Sequence, residues 1–332
     1  MKTIAAALLL LLGQGIAASA AEKAVVLAAT GQEMAAPSTS QAEAPKSIAF
    51  GIYDPHKHFA KDPNVQLEHF FVAWQAMDYK DFNRRLADAK QLGRSVMVTI
   101  EPYTKAPNWR DGGERLFADI VTGKFDGEIE NICSSLAKFR GLALVRWGHE
   151  MEDPNGRYPW ARSDSQGYKS AFQYFVTACR HIAPGIKTVW SPKGEKNLSD
   201  YFPGREYVDF IGVSVWGLES YDTQFYGGAR DFSETFNGKY RRIAKFGAPV
   251  IIAKLGVSGR RSYREQWFES LRKAVAGKRE FPELQAVVYF NDKEPYHWPF
   301  GLGSPDWHIS TDWFSQITVP NNSTCNVTIV SC

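Results

Sequence analysis

From residue 48 onward the chain alternates short apolar runs with longer stretches of helical periodicity, and that rhythm admits few folds. Strand-like runs fall at 48–53, 69–73, 95–100, 142–146, 187–190, 208–213, 250–253 and 286–290. Between them Ile129, Ile132, Leu136 and Phe139 recur at helical spacing, as do Tyr168, Phe172, Phe175 and Cys179, and then Trp267, Leu271 and Ala274. These stripes read as core packing. Repeated strand–helix units over roughly 240 residues suit an α/β chain closed into a single (β/α)8 TIM barrel, which takes about 250. An open doubly wound sheet would want a glycine-rich phosphate turn after its first strand, and none is present. In a barrel the chemistry gathers where strands end, so the residues after each apolar run carry the functional reading.

The flanks are of another kind. Lys2, the apolar stretch 4–12 and Ala18-Ser19-Ala20 read as a signal peptide over 1–20, which implies a secreted or periplasmic protein. That stretch is too short to span a bilayer, so an uncleaved signal anchor is the one membrane attachment to consider. Residues 21–46, rich in Ala, Pro, Ser, Gln and Glu, read as a flexible linker, with the barrel over 47–310. The polar tail 311–332 reads as a short strand pair or a disordered end, and its two sequons, at Asn322 and Asn326, matter only in a eukaryotic secretory pathway. Cys325 and Cys332 are close enough to close a tail loop, whereas Cys133 and Cys179, on separate predicted helices, are expected as buried thiols.

Thirty-nine basic residues against 36 acidic ones, with no basic run, give no reason to expect nucleic acid or an anionic membrane as partner. Ten Trp, 14 Tyr and 21 Phe suit an exported carbohydrate binder, because the apolar face of a sugar stacks on an indole. No cofactor is implied. No Cys-x-x-Cys pair signals structural zinc, and His56-Lys57-His58 reads as a polar loop, since no further ligand stands at a matching spacing.

The fourth strand runs into Arg146-Trp147-Gly148-His149-Glu150-Met151-Glu152. A strand-end glutamate beside indole and imidazole can have its ionisation tuned toward general-acid work; the plainer alternative is a surface glutamate paired with Arg146 or Arg157. Asp153 stands where a metalloprotease helix would need its second histidine. Together with Tyr158-Pro159-Trp160, this segment resembles the acid/base region of glycoside hydrolase family 26, the β-mannanases and related β-glucanases. Trp190-Ser191-Pro192, the strand from Tyr207 to Val213, Pro249-Val250-Ile251-Ile252-Ala253 and Val288-Tyr289-Phe290-Asn291-Asp292 match in order, so the resemblance covers about residues 47–310.

The resemblance implies a monomeric endo-glycanase acting on internal bonds of a β-linked polysaccharide or oligosaccharide, mannan or glucan, by a retaining mechanism whose two carboxylates stand ~5–5.5 Å apart. Glu150 matches the acid/base, and His149 the histidine that helps hold the sugar. Trp74, Trp109, Trp160 and Trp216, near strand ends, are the candidates for sugar stacking. Three residues depart from the family. Glu152 replaces a common asparagine, which is expected to alter a sugar contact. Trp216 stands near where many relatives use a tyrosine that bonds the nucleophile. Lys254 occupies the nucleophile position itself.

An ammonium cannot attack the anomeric carbon, and a cation near Glu150 favours its carboxylate form. The expectation is a family 26-like hydrolase of impaired activity, the alternative a non-catalytic glycan-binding or exopolysaccharide-assembly protein. Glu101, Glu219, Asp292 and Glu294 also follow strands, and any of them could serve only as the distant base of an inverting reaction, ~6.5–9.5 Å from the acid.

Overall fold

The computed structural model describes residues 48–108, 115–153, 155–161, 164–276 and 279–318. The segments read as a signal peptide and a linker, together with Trp109 and the Cys325/Cys332 tail, lie outside the described residues. Among the described residues, eight parallel strands close into a barrel: β1 Ala49–Tyr53, β2 Leu67–Ala73, β3 Ser95–Glu101, β4 Ala143–Trp147, β5 Lys187–Trp190, β6 Phe210–Leu218, β7 Val250–Ser258 and β8 Leu284–Phe290. Each pairs with its sequence neighbour, and β8 closes on β1. The single (β/α)8 barrel expected from the alternation is the fold. Around it lie α1 Tyr79–Gln91, α2 Leu116–Val121, α3 Asp126–Lys138, α4 Ser165–Ile182, α5 Leu198–Tyr201, α6 Glu219–Tyr226, α7 Phe232–Ala244, α8 Arg261–Val275 and α9 Thr311–Ile317.

Strand pleating sorts the apolar residues into two clusters, because successive side chains face opposite sides. Ala49, Leu67, Met97, Leu144, Val189, Phe210, Ile251 and Ala286 fill one end of the barrel. Their neighbours Phe50, Phe70, Val98, Val145, Ile211, Ile252 and Val287 face outward into the helical layer, where the predicted stripes of α3, α4 and α8 meet them. Above the apolar floor the interior turns polar: His69 on β2, Thr99 on β3, Arg146 on β4 and Ser191 after β5 are all buried.

One departure in register decides where Lys254 points. Between Val213 and Ser214 of β6 the pairing with β7 shifts, so that Val213 faces Ile252 and Ser214 faces Lys254. Ala253 is the extra residue of a β-bulge, a device that re-aims side chains next to functional sites. Ile251 faces the interior and Ile252 the helices, so strict alternation would send Lys254 outward. The bulge turns it inward instead. Beyond the bulge β6 and β7 run on to Leu218 and Ser258, past the ends of their apolar runs at Val213 and Ala253.

Two expectations are corrected. Cys133 on α3 and Cys179 on α4 form a disulfide, their Cα atoms 5.4 Å apart. The two helices pack side by side, which brings half-turns 46 residues apart into bonding distance and, in the chain-entropy account, contributes about 4 kcal/mol by constraining the unfolded chain. The first part of the polar tail is helical: the Ser310 hydroxyl caps α9, whose Phe314 and Ile317 are buried in the core.

Candidate active site at the strand ends

Glu150 sits three residues beyond β4, in a turn where Gly148 and Glu150 both take positive φ, +54° and +55°. A glutamate rarely adopts that conformation, and such strain gathers at functional sites where the surroundings enforce it. Here the Glu150 N–H donates to the Ser191 carbonyl at 2.8 Å, and the Ser214 hydroxyl donates to Glu150 Oε1 at 2.6 Å. Lys254 Nζ completes the contact, 2.5 Å from the same oxygen, with side chains 7% and 5% exposed.

Arg146 lies beneath, wholly buried, its Nε donating to the Ser191 hydroxyl and its Nη1 to the Thr99 hydroxyl. Burial alone would raise the Glu150 pKa, but the Lys254 ammonium, with the Arg146 guanidinium, holds it well below the usual carboxylate range. Lys254 is lowered by burial, against the pull of Glu150. The Glu150 carboxyl is therefore held as an anion.

His149 is fully buried, ringed by Tyr158, Trp160 and Phe71 at 4.7, 5.8 and 6.0 Å between centroids, and neither ring nitrogen has a protein partner. Burial pushes its pKa well below the ordinary histidine value, which keeps the imidazole neutral. Trp160 donates its indole N–H to the His149 carbonyl at 2.7 Å and stacks on Tyr158 at 4.8 Å.

Trp216 is half-buried on β6, its ring 5.7 Å from Lys254 Nζ and stacked on Trp307 at 4.7 Å. That stack needs Gly256 on β7, where an added Cβ would stand 2.7 Å from the Trp216 ring and 2.8 Å from Trp307. Trp74 is enclosed, stacked on Phe125 at 4.9 Å and tilted against Trp147. The structure thus gathers Glu150, Lys254, His149, Trp160 and Trp216, and keeps Trp74 in the packing outside the barrel wall. Glu152 turns to the loop after β5, accepting from the Gly194 and Glu195 N–H groups.

Glu219 pairs with Arg260, Glu294 with Arg157 at 3.2 Å, and Asp292 approaches His56 at 3.8 Å. Glu101, at the end of β3, has its pKa pushed up to about 7 by burial, with Lys254 and Arg146 pulling the other way. Its folded-state value exceeds the unfolded one, so the folded protein binds the extra proton and loses stability as pH rises from about 4.5 through 7. Glu101→Gln should therefore stabilise the fold at pH 8, by at most about 3 kcal/mol, and leave it nearly unchanged at pH 5. Thermal melts at the two pH values check this; equal effects at both would contradict it.

Arg157, considered as a partner of a surface Glu150, pairs with Glu294 instead, its guanidinium 5.5 Å over Tyr158, and Glu150 is buried. Two groups of residues escaped the sequence reading. Ser214 could have been found from the period-2 pattern of β6, since Phe210 faces inward. The exposed aromatics of the rim have no local signal: Tyr296 and Phe300 after β8, and Phe225 and Tyr226 on α6 directly after β6. Phe225 and Phe300 meet at 5.2 Å, joining the two loops above the strand ends.

No family model matches the chain. A β-1,3-xylanase of Alcaligenes sp. is 22% identical over 105 residues, 30% of this chain, and the chain spans about a fifth of that curated relative's length. A family 26 β-mannanase of Bacteroides ovatus superposes with a TM-score of 0.57 at 14% identity, covering 82% of this chain and 88% of that one. A modular endo-β-1,4-mannanase of Cellulomonas fimi gives 0.59 at 11% identity, over 82% and 70% of the two chains. The fold resembles that of the family 26 glycoside hydrolases. A GH5-4 broad-specificity endoglucanase gives 0.56 at 10% identity, covering 77% of this chain and 81% of that one, so the barrel architecture is shared more widely.

Proposed function

We propose that this chain is an exported β-glycan-binding barrel of glycoside hydrolase type in which hydrolysis has been switched off. The observation that carries this reading is the ion pair of Lys254 and Glu150 at 2.5 Å. Retaining hydrolysis needs a proton on one carboxyl and a nucleophile on the other side of the anomeric carbon. Lys254 removes both, by replacing the nucleophile and by stabilising the anion of the acid. What it leaves at the strand ends is a half-buried Trp216 and the exposed rim aromatics Tyr296, Phe300, Phe225 and Tyr226. Those side chains suit recognition of sugar ring faces.

Calorimetry with manno-oligosaccharides and mixed-linkage gluco-oligosaccharides, followed by chromatography of the same samples, tests the proposal. Binding of one series without shorter products is expected. Absence of binding to both, or steady product release, would overturn it. Tyr296, 74% exposed, and Trp216 are the stacking residues to truncate, and each alanine variant should weaken binding about five- to tenfold. Unchanged affinity in both would remove the stacking argument.

A further inference from the structure

We propose that His56, Asp292 and His308 form a site for a divalent transition-metal ion of the zinc type, which ties the loop after β1 to the segment after β8. One ligand atom from each residue lies within 4.8 Å of the others. Ligands around tetrahedral zinc stand roughly 3.3 Å apart, given bond lengths near 2 Å, so the closure still needed is within reach of side-chain torsions. His56, with its side chain 60% exposed, is free to make that movement. Two imidazoles and a carboxylate are a donor set that suits zinc and its neighbours over calcium or magnesium, which prefer all-oxygen cages.

Two further observations distinguish this cluster from a chance meeting of polar residues. His308 Nδ1 is 2.6 Å from Asp306 Oδ1, the carboxylate–imidazole pairing that fixes the tautomer of a metal-binding histidine and leaves Nε2 as the nitrogen to ligate. The three ligand-bearing segments are also bound to one another through two polar side chains. Asp54 accepts from the Phe59 N–H, closing the loop that carries His56, and accepts from the Asn291 amide at 3.1 Å. Asn291 accepts in turn from the Ile309 N–H at 2.9 Å, and the Trp307 N–H donates to the Asp292 carbonyl. His58 stands beside the cluster, its ring centroid 5.8 Å from that of His56 and 6.4 Å from that of His308. The partners of the His56-Lys57-His58 segment come from the far end of the chain, where no local spacing rule would look.

The test uses the tag-free chain. Zinc uptake is measured by calorimetry and by metal analysis after dialysis, and Co2+ serves as a spectroscopic probe. One Zn2+ per chain is expected, with Co2+ d–d bands of imidazole and carboxylate ligation and a melting temperature raised by several degrees at saturating zinc. Uptake should be lost in His56→Ala and His308→Ala, and weakened about tenfold or more in Asp306→Ala. Metal-free melts of the variants establish that they fold, and His308→Gln replaces His308→Ala if it does not. No uptake by the native chain, no d–d bands, or stoichiometric uptake that survives the histidine substitutions would each overturn the site.

Discussion

Lys254→Glu is expected to hydrolyse β-glycan at least about 100-fold faster than the native chain, since restoring a positioned general acid alone is worth roughly 10²–10⁴. The substitution acts twice. It supplies a carboxylate where the bulge at Ala253 aims the side chain into the barrel, and it removes the cation that holds Glu150 ionised. Two carboxylates facing each other in one pocket cannot both ionise freely, so one pKa rises and a proton becomes available. Lys254→Met is the control, because it frees Glu150 without supplying a nucleophile and should stay inactive. Reducing-sugar release on mannan and mixed-linkage β-glucan measures all three proteins. Native activity equal to that of Lys254→Glu would show that Lys254 does not block the reaction.

The same pair should dominate stability. Lys254→Met leaves a carboxyl buried without its cation, and breaking such a pair typically costs about 3–5 kcal/mol near pH 7, which for a barrel of this size is a fall in melting temperature of about 10 °C. The pH trend should reverse as well. In the native protein Glu150 has a folded-state pKa well below its unfolded value, so it contributes stability above about pH 4.5 that is lost as pH falls through the folded value. In Lys254→Met the unpaired, buried Glu150 should titrate above its unfolded value, and stability should then decline as pH rises past about 4.5. Adding Glu150→Gln to Lys254→Met removes the orphaned charge and should recover most of the loss, giving a strong coupling in a double-mutant cycle. Additive effects would mean that the two groups do not share a charge interaction.

Much of this barrel was legible because its signals are local. Helical spacing in α3, α4 and α8 and apolar runs in the strands depend on neighbours within a turn or two, and they placed the helices and the eight strands. Glu150 and His149 were legible for the same reason, lying together at a strand end. Lys254 was placed by the resemblance, not by its pattern: strand alternation from Ile251 would have turned it outward, and only the pairing shift against β6 brings it in. A bulge is a relation between two strands and leaves no mark in one of them. The Cys133–Cys179 disulfide, the Arg157–Glu294 pair and the His56–Asp292–His308 cluster join residues far apart in the chain, so they appear only once the helices and loops have been set side by side. Trp74 illustrates the converse: a strand-end position suggested a sugar platform, but its ring packs under Phe125 and Trp147.

The central claim is that the Lys254 cation keeps Glu150 ionised, and infrared difference titration of the native chain against Glu150→Gln reads that charge directly. The account predicts a Glu150 carboxylate band that persists as pH falls through 4.5, with no protonated carboxyl signal from this residue at pH 5. A protonated Glu150 band at pH 5 or above would contradict it.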